Sequence, residues 1–313
     1  MVPHPLKKRF THTAEHCVVS PREYPKETSK PNNYMNTIKN FEDLYQRVVS
    51  SGRHARIAVA NAKDEATQEA IRLIKDHQLA DVVCVEESTP EATASQAVAL
   101  IRRGEADVLM KGLIGTDQLL RAILNKENGL LPPGNIMTHM ALAEVPTYHK
   151  LLLMTDVAVI PYPTHEQRIQ QVRYAADICH KMGISEPRIA LLHCAEHGGK
   201  QFPFVDGYAD IIQQGKDGEF GPCRIDGPMD LKCACSLEAL QAKGLQSSLE
   251  GEADVLVLPD IEAGNTLYKA LTFFVDSKTA GILSGTQCPV VLPSRGDTPE
   301  TKFNSMIFAL ASL

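Results

Sequence analysis

From Arg56 onward, short all-apolar runs alternate with amphipathic stretches. The run "RIAVAN" predicts a strand. "DEATQEAIRLIKDH" after it places apolar residues near the helical period, which predicts a helix. The pairing recurs in "DVVCVE" with "PEATASQAVALIRRG", and in "ADVLMKG" with "TDQLLRAILNKENG", where Gly129 is expected as C-cap. Further strands are expected at "IMTHMALAEV", "KLLLMTD", "VAVIP", "RIALLHC", "CRID", "ADVLVLP", "GILSG" and "PVVLP", and further helices over 164–182, 262–276 and 298–310. Continuous apolar strands flanked by helices are buried on both faces, so the pattern reads as an α/β fold built on parallel strands. Ligands in such sheets bind beyond the carboxyl ends of strands. "EVPTYHKLLLMTD" brings strands together with little helix between them, which predicts a local antiparallel piece.

The chain has 313 residues, 43% of them hydrophobic, enough for a sizeable core in one large or two smaller domains. A net charge of −6 argues against a nucleic-acid or anionic-membrane partner. No apolar run approaches the roughly 20 residues of a membrane span. The eight cysteines include no CxxC pair, Cys233 and Cys235 being the closest, which reads as reduced thiols in a cytoplasmic protein. Residues 1–34 carry five prolines, many charges and few large apolar residues, and read as a disordered tail. They lack the apolar core of a secretory signal, and Glu15, Glu23 and Glu27 argue against a transit peptide. The first helical patterning, "MNTIKNFEDLYQRVVS", opens at Met35, an alternative start of translation.

No GxGxxG follows a strand and no GxxxxGK[ST] occurs, which argues against a nicotinamide dehydrogenase or a P-loop nucleotidase. "HCAEH", His193 to His197, matches H-x-x-E-H but ends an apolar strand. Four residues of strand span about 13 Å, too far for both histidines to reach one metal, so no metal is expected. His193 and Glu196 remain candidates for a cleft at the strand's end. In "PSRGDTPETKF", Asp297 and Glu300 fit a capping box with Pro299 in the first turn. Ser294 and Arg295 are not explained by that cap. They add a hydroxyl and a guanidinium fork where a helix start already favours an anion, which points to phosphate. "MKGLIGTDQLLRAIL" holds Lys111, Gly112, Gly115, Thr116 and Arg121 around a strand-to-helix turn. There Thr116 or Asp117 is expected to cap, and the glycines let backbone approach a ligand. By spacing alone, Arg121 reads as a solvated or ion-paired residue. In "DIEAGNTLYKAL", Glu262 and Asn265 flank Gly264, either as caps or with the Asn265 amide offered to a polar ligand.

Five segments taken together carry a resemblance. "ADVLMKGLIGTDQLLRAILNKENGL", "YHKLLLMTDVAVIPYPTHEQ", "IDGPMDLKCACS", "EADVLVLPDIEAGNTLYKAL" and "CPVVLPSRGDTPETKFNS" resemble, in order, the phosphate acetyltransferase and phosphate butyryltransferase family, over about residues 35–313. "MKG", "DGPMD" and "IEAGN…YK" bring the chain nearer the butyryl branch. The resemblance implies a two-domain α/β fold like that of the isocitrate/isopropylmalate dehydrogenases, with the active site in the cleft between domains. Domain I would take 35–144 and 285–313, and domain II 145–284. The implied reaction is acyl-CoA + phosphate ⇌ acyl phosphate + CoA, with coenzyme A as substrate or product, no bound cofactor, no metal, and a homodimer or larger assembly.

The family's Ser-Arg pair falls on Ser294 and Arg295, and its arginine after the "MKG"-type turn on Arg121, which becomes a phosphate or CoA ligand. Lys111, Gly112, Thr116, Asn265 and Glu262, read from the local motifs, are the other candidates for phosphate or CoA binding. Acetyl-specific members carry a catalytic aspartate where this chain has Thr301. Proton transfer is left to Glu300, to Asp297 or to phosphate itself. Direct attack by phosphate is expected, with a covalent Cys288 as the rival. Two other readings stay open: a phosphate acetyltransferase, and a regulatory protein that binds acyl-CoA or acyl phosphate with degraded catalysis.

Overall fold

The computed structural model describes residues 38–313. The expected tail over 1–34 and the alternative start at Met35 lie outside the described residues. Ten strands occur among them: β1 (Ala55–Ala60), β2 (Ala80–Val85), β3 (Val108–Lys111), β4 (Thr138–Glu144), β5 (Leu152–Thr155), β6 (Arg188–Leu192), β7 (Arg224–Met229), β8 (Val255–Val257), β9 (Lys278–Ser284) and β10 (Val290–Val291). The α-helices are α1 (Phe41–Ser51), α2 (Glu65–Asp76), α3 (Pro90–Arg102), α4 (Thr116–Ile123), α5 (His165–Met182), α6 (Tyr208–Lys216), α7 (Leu231–Cys235), α8 (Leu237–Ala242), α9 (Ile261–Phe274) and α10 (Pro299–Ala311).

All the strands join one sheet in the order β2-β1-β3-β10-β9-β4-β5-β8-β6-β7. Its two wings are parallel, as apolar strands between helices predict. Its centre is antiparallel: β9 pairs with both β10 and β4, and β4 pairs with β5. The β4–β5 pairing is the antiparallel piece expected from "EVPTYHKLLLMTD". The chain after α9 threads back through this centre, so β10 ends beside β3, with Val291 opposite Met110. The segment that carries Ser294 thereby leaves the sheet next to Lys111, far away in sequence.

Side-chain caps set most helix starts. Asn40, Asp64, Thr89, Thr164 and Asp260 each accept a backbone N–H from the first turn. The expected strand "VAVIP" is not formed. The Asp156 carboxylate accepts the N–H groups of Ala158, Val159 and Ile160, which winds that segment into a turn instead. Gly129 is not a helix cap either. α4 stops at Ile123, and Asn125 Oδ1 gathers the N–H groups of Glu127 and Asn128. Gly129 is required by closeness: a Cβ there would lie 2.3 Å from the carbonyl oxygens of Ile123 and Asn125.

One apolar cluster forms around β1, β3, α3 and β10, and another around β5, β6, β8 and β4. α10 is buried along nearly its whole length, including Phe303, Met306 and Phe308. Burial of each such side chain is worth about 1.5–3 kcal/mol. The described helices include none long and apolar enough to cross a membrane. The seven described cysteines are all free thiols.

Candidate active site

The loop between β10 and α10 forms one wall of a cavity of about 150 Å³. Pro293, Ser294 and Asp297 line it from the loop, and Thr301 and Ser305 from the following turns of α10, four residues apart on one helix face. Asn265, Tyr268 and Lys269 of α9 form the facing wall, with Val157 and Ala158 from the turn after β5. His139 of β4 and Gly281 of β9 form the floor.

The loop has a tight internal bond pattern. Ser294 N donates to Asp297 Oδ2 at 2.8 Å, and Asp297 N donates to Ser294 O at 3.2 Å. Asp297 therefore closes a turn rather than capping α10. Thr298 is the N-cap, its Oγ1 accepting Thr301 N at 3.1 Å, with Pro299 in the first turn. The expected Asp297–Glu300 capping box is corrected accordingly: a threonine one position nearer the helix takes the orphan N–H. Glu300 points away from the cavity and pairs with Lys278 Nζ at 3.1 Å. Arg295 is exposed on the loop.

Lys111 ends β3 beside this loop and is buried. Among the described residues its ammonium has one hydrogen-bond partner, the Gly112 carbonyl at 3.3 Å. Burial pushes its pKa down and the positive charges of Lys302 and Arg295 add to the fall, against the pull of the Asp64 and Asp297 carboxylates. A buried cation without a carboxylate partner is costly, and an anionic ligand would offset that cost. Gly112 has a structural reason: a Cβ there would lie 2.3 Å from Asn61 O, and its N–H is taken by Ala60 O. Thr116 begins α4 and is exposed. The residue before it, Gly115, is the N-cap, its N–H donating to Gln118 Oε1 at 3.0 Å, so neither Thr116 nor Asp117 caps. The Arg121 side chain is 83% exposed and lies 3.8 Å from Asp117 Oδ2. It is not brought into the cavity wall, in keeping with its spacing on the helix.

On α9, Asp260 provides the cap by accepting Ala263 N at 2.8 Å, so neither Glu262 nor Asn265 is needed for it. Glu262 accepts from Tyr162 Oη outside the cavity. Asn265 donates its Nδ2 to Val157 O at 3.0 Å and lines the cavity. Of the residues singled out in the sequence, Ser294, Asp297, Thr301 and Asn265 thus share one cavity, with Lys111 and Arg295 beside it.

His139, Tyr268 and Ser305 belong to the cavity and carry no sequence signal. His139 and Gly281 meet only through the β4–β9 register, which pairs His139 with Leu283 and leaves Gly281 two residues away on the same face. The imidazole lies over Gly281, where a Cβ would come within 2.9 Å of Cε1 and Nε2. Burial pushes its pKa down, against the pull of the Asp156 and Asp297 carboxylates. Ser305 Oγ accepts Gly281 N at 3.0 Å and donates to Thr301 O, which fixes α10 against β9. Tyr268 Oη contacts Thr279 Oγ1 at 3.3 Å, and burial pushes its phenol up.

"HCAEH" lies elsewhere. His193 is buried against the rings of Phe202 and Phe204, while His197 is exposed. Glu196 pairs with Lys243, which also reaches Asp230 at 2.7 Å. Glu196, Asp230 and Cys233 approach one another closely enough for a metal, but the Lys243 ammonium already supplies the positive charge. Cys288 is buried outside the cavity wall, and burial pushes its thiol up to about 12, which leaves little thiolate for covalent catalysis.

The family described as Phosphate acetyl/butaryl transferase matches residues 85–310. The chain belongs to this family. Among family members, the phosphate butyryltransferase of Clostridium acetobutylicum is 37% identical over 299 residues, covering 88% of this chain and 98% of its own. The phosphate acetyltransferase of Thermotoga maritima is 36% identical over 217 residues, covering 69% of this chain and 74% of its own. The crystal structure of a branched-chain phosphotransacylase from Enterococcus faecalis V583 superposes with a TM-score of 0.73 at 31% identity, over 82% of this chain and 98% of that one. The α/β fold and the family resemblance read from the sequence both hold.

Proposed function

We propose that this protein is a short-chain phosphate acyltransferase, exchanging a butyryl or branched acyl group between coenzyme A and inorganic phosphate. The observation that carries the reading is the cavity beneath the Ser294–Asp297 loop, with the buried Lys111 ammonium beside it, in a chain aligned over 88% of its length with a phosphate butyryltransferase and over 82% with a branched-chain phosphotransacylase. The acetyl reading is weaker, because the Thermotoga acetyltransferase aligns over a smaller share of this chain than the Clostridium butyryltransferase.

Phosphate would sit between Lys111, Arg295 and the Ser294 hydroxyl, which neutralise and orient it. Holding it against the thioester carbonyl turns two diffusing reactants into one bound pair. Asn265, across the cavity, has its Oδ1 left to accept a hydrogen bond from substrate. Gly112 lies on the turn that follows Lys111 and Thr116 and Arg121 on α4 after it, and we assign them to the CoA side of the cleft. Glu262 and Glu300 are engaged with Tyr162 and Lys278 outside the cavity and fit less well as participants. The division into 35–144 with 285–313 and 145–284, a homodimer or larger assembly, a cytoplasmic location and the absence of a bound cofactor belong to the same reading.

The test is CoA release, followed with a thiol reagent, from acetyl-, butyryl- and isobutyryl-CoA with and without phosphate. The expected outcome is phosphate-dependent release that favours the butyryl or isobutyryl thioester. Release from acetyl-CoA alone would give the acetyl reading. Folded protein that binds CoA and releases none would give the regulatory one.

A further inference from the structure

Within that proposed activity, the geometry points to His139 as the catalytic residue that relays the proton from phosphate to sulfur. In acyl-CoA + HPO₄²⁻ the attacking phosphate carries the proton that CoA must finally hold. A group that takes it from one oxygen and delivers it to one sulfur must be unprotonated before and after each turnover. It must also have a lone pair open to the cavity and not committed to a structural hydrogen bond.

Among the cavity's side chains, only the imidazole of His139 meets all three conditions. The Tyr268 phenol keeps its proton near neutral pH, since burial pushes its pKa up. The hydroxyls of Ser294, Thr301 and Ser305 are poor bases. Asp297 already accepts Ser294 N, which commits its carboxylate to closing the turn. Apart from His139, no imidazole lines the cavity.

The ring is arranged for this task. Among the described residues neither of its nitrogens has a hydrogen-bond partner. Nδ1 is sealed from solvent, so Nε2 is the nitrogen open to the cavity. A histidine that serves packing alone normally has its buried nitrogen satisfied. Gly281 leaves room for the ring, since a Cβ there would lie 2.9 Å from Nε2. The charged groups that face it are Asp156 behind β4, Asp297 on the loop and Lys269 on α9 across the cavity. The Asp156 carboxylate is buried and held by Thr138 Oγ1 at 2.7 Å, by the His139 N–H at 3.2 Å and by the turn after β5. It is a fixed negative charge beside the ring. Burial keeps the resting imidazole neutral, and the two carboxylates stabilise the imidazolium while it exists.

The steps balance. A phosphate oxygen attacks the thioester carbonyl and a C–O bond forms. Its O–H proton passes to Nε2, the C–S bond breaks with its electron pair on sulfur, and Nε2–H returns the proton to that thiolate. Acyl phosphate dianion and CoA thiol leave, and His139 is neutral again. The reverse reaction uses the same relay, with Nε2 taking the thiol proton.

The experiment compares wild type with His139→Gln in the direction butyryl phosphate + CoA, from pH 5 to 9. In the wild type, kcat/KM is expected to fall on the acid side as the imidazole becomes protonated, at a pH below the ordinary imidazole value because burial pushes its pKa down. In the variant, kcat at pH 7 is expected to fall about 100-fold with the KM for CoA within threefold, in line with the loss of a general base. The acid limb should disappear, leaving a rate that rises with free thiolate. A variant that keeps the acid limb and a kcat within threefold overturns the role of His139 and leaves the acyltransferase reading standing. A wild type with no turnover overturns both. If the variant does not fold, carbethoxylation of wild type decides. Activity lost as His139 is modified, and protected by CoA, supports the relay. Activity kept with His139 modified, or lost with it unmodified, overturns it.

Discussion

Lys111 is the residue whose environment makes the least sense without a ligand. Its ammonium is buried at the end of β3 where, among the described residues, it has only a neighbouring carbonyl at 3.3 Å as hydrogen-bond partner, and burial already drives its pKa down. A charge-assisted contact to phosphate is worth about 1.5–3 kcal/mol, so Lys111→Met is expected to raise the KM for phosphate roughly 10- to 100-fold. The same change removes a buried, poorly paired cation and fills its space with an apolar chain. The melting temperature should therefore stay level or rise, whereas a merely structural lysine would lower it on removal. Initial rates against phosphate and a thermal melt separate the two. Ser294→Ala removes one hydroxyl and no packing, and is expected to lower kcat by about tenfold with an unchanged melt. Ser294, Asp297 and Asn265 were legible in the sequence because each sits at a strand-to-helix junction, where orphan N–H groups collect. His139 was not, because what makes it a cavity residue is a glycine on another strand, 142 positions later.

At the scale of elements, a buried polar cluster ties α10 to the start of α2. Lys302 Nζ lies 2.6 Å from Asp64 Oδ1 and 3.0 Å from Thr67 Oγ1. Lys302→Met would leave the Asp64 carboxylate without its cation, and is expected to cost about 1–3 kcal/mol in a denaturant titration. Asp64→Asn added to it should recover part of that loss, since no uncompensated charge remains. The pH dependence has a definite sign. Burial is the largest influence on Asp64 and acts upward, yet Lys302 and Thr67 together hold its carboxyl below the usual range. A depressed carboxyl pKa stabilises the fold fully above the unfolded value near 3.9, and that contribution is lost as pH falls through the lower folded value. Acid unfolding of Lys302→Met should therefore begin at higher pH than that of wild type. Apolar runs made nearly every strand legible, but the ends of elements were not. Thr298 outcompeted Asp297 for the α10 cap, Gly115 stands where Thr116 or Asp117 was expected, and Asp156 turned "VAVIP" into a loop. In each case neighbouring polar residues compete for the same N–H, and local spacing does not rank them.

At the scale of the whole molecule, the cavity is assembled from segments the sheet brings together: β4, the turn after β5, α9, β9 and the loop after β10. Strand order was not legible in the sequence, since apolar runs give no account of which neighbours pair. A ligand that fills this cavity touches all those segments in the folded state and none of them together in the unfolded chain. Binding must then stabilise the fold by mass action, about 2.7 kcal/mol at a hundredfold excess over Kd. For a chain of this size that is a rise of several degrees in melting temperature. Phosphate and CoA are each expected to raise it in the wild type. If Lys111 holds phosphate, Lys111→Met loses most of the phosphate shift and keeps the CoA shift, because only one of the two ligands has lost its counter-charge. Equal loss of both shifts would mean that the substitution damaged the cavity as a whole. A wild type that neither ligand stabilises would remove the cavity as their binding site.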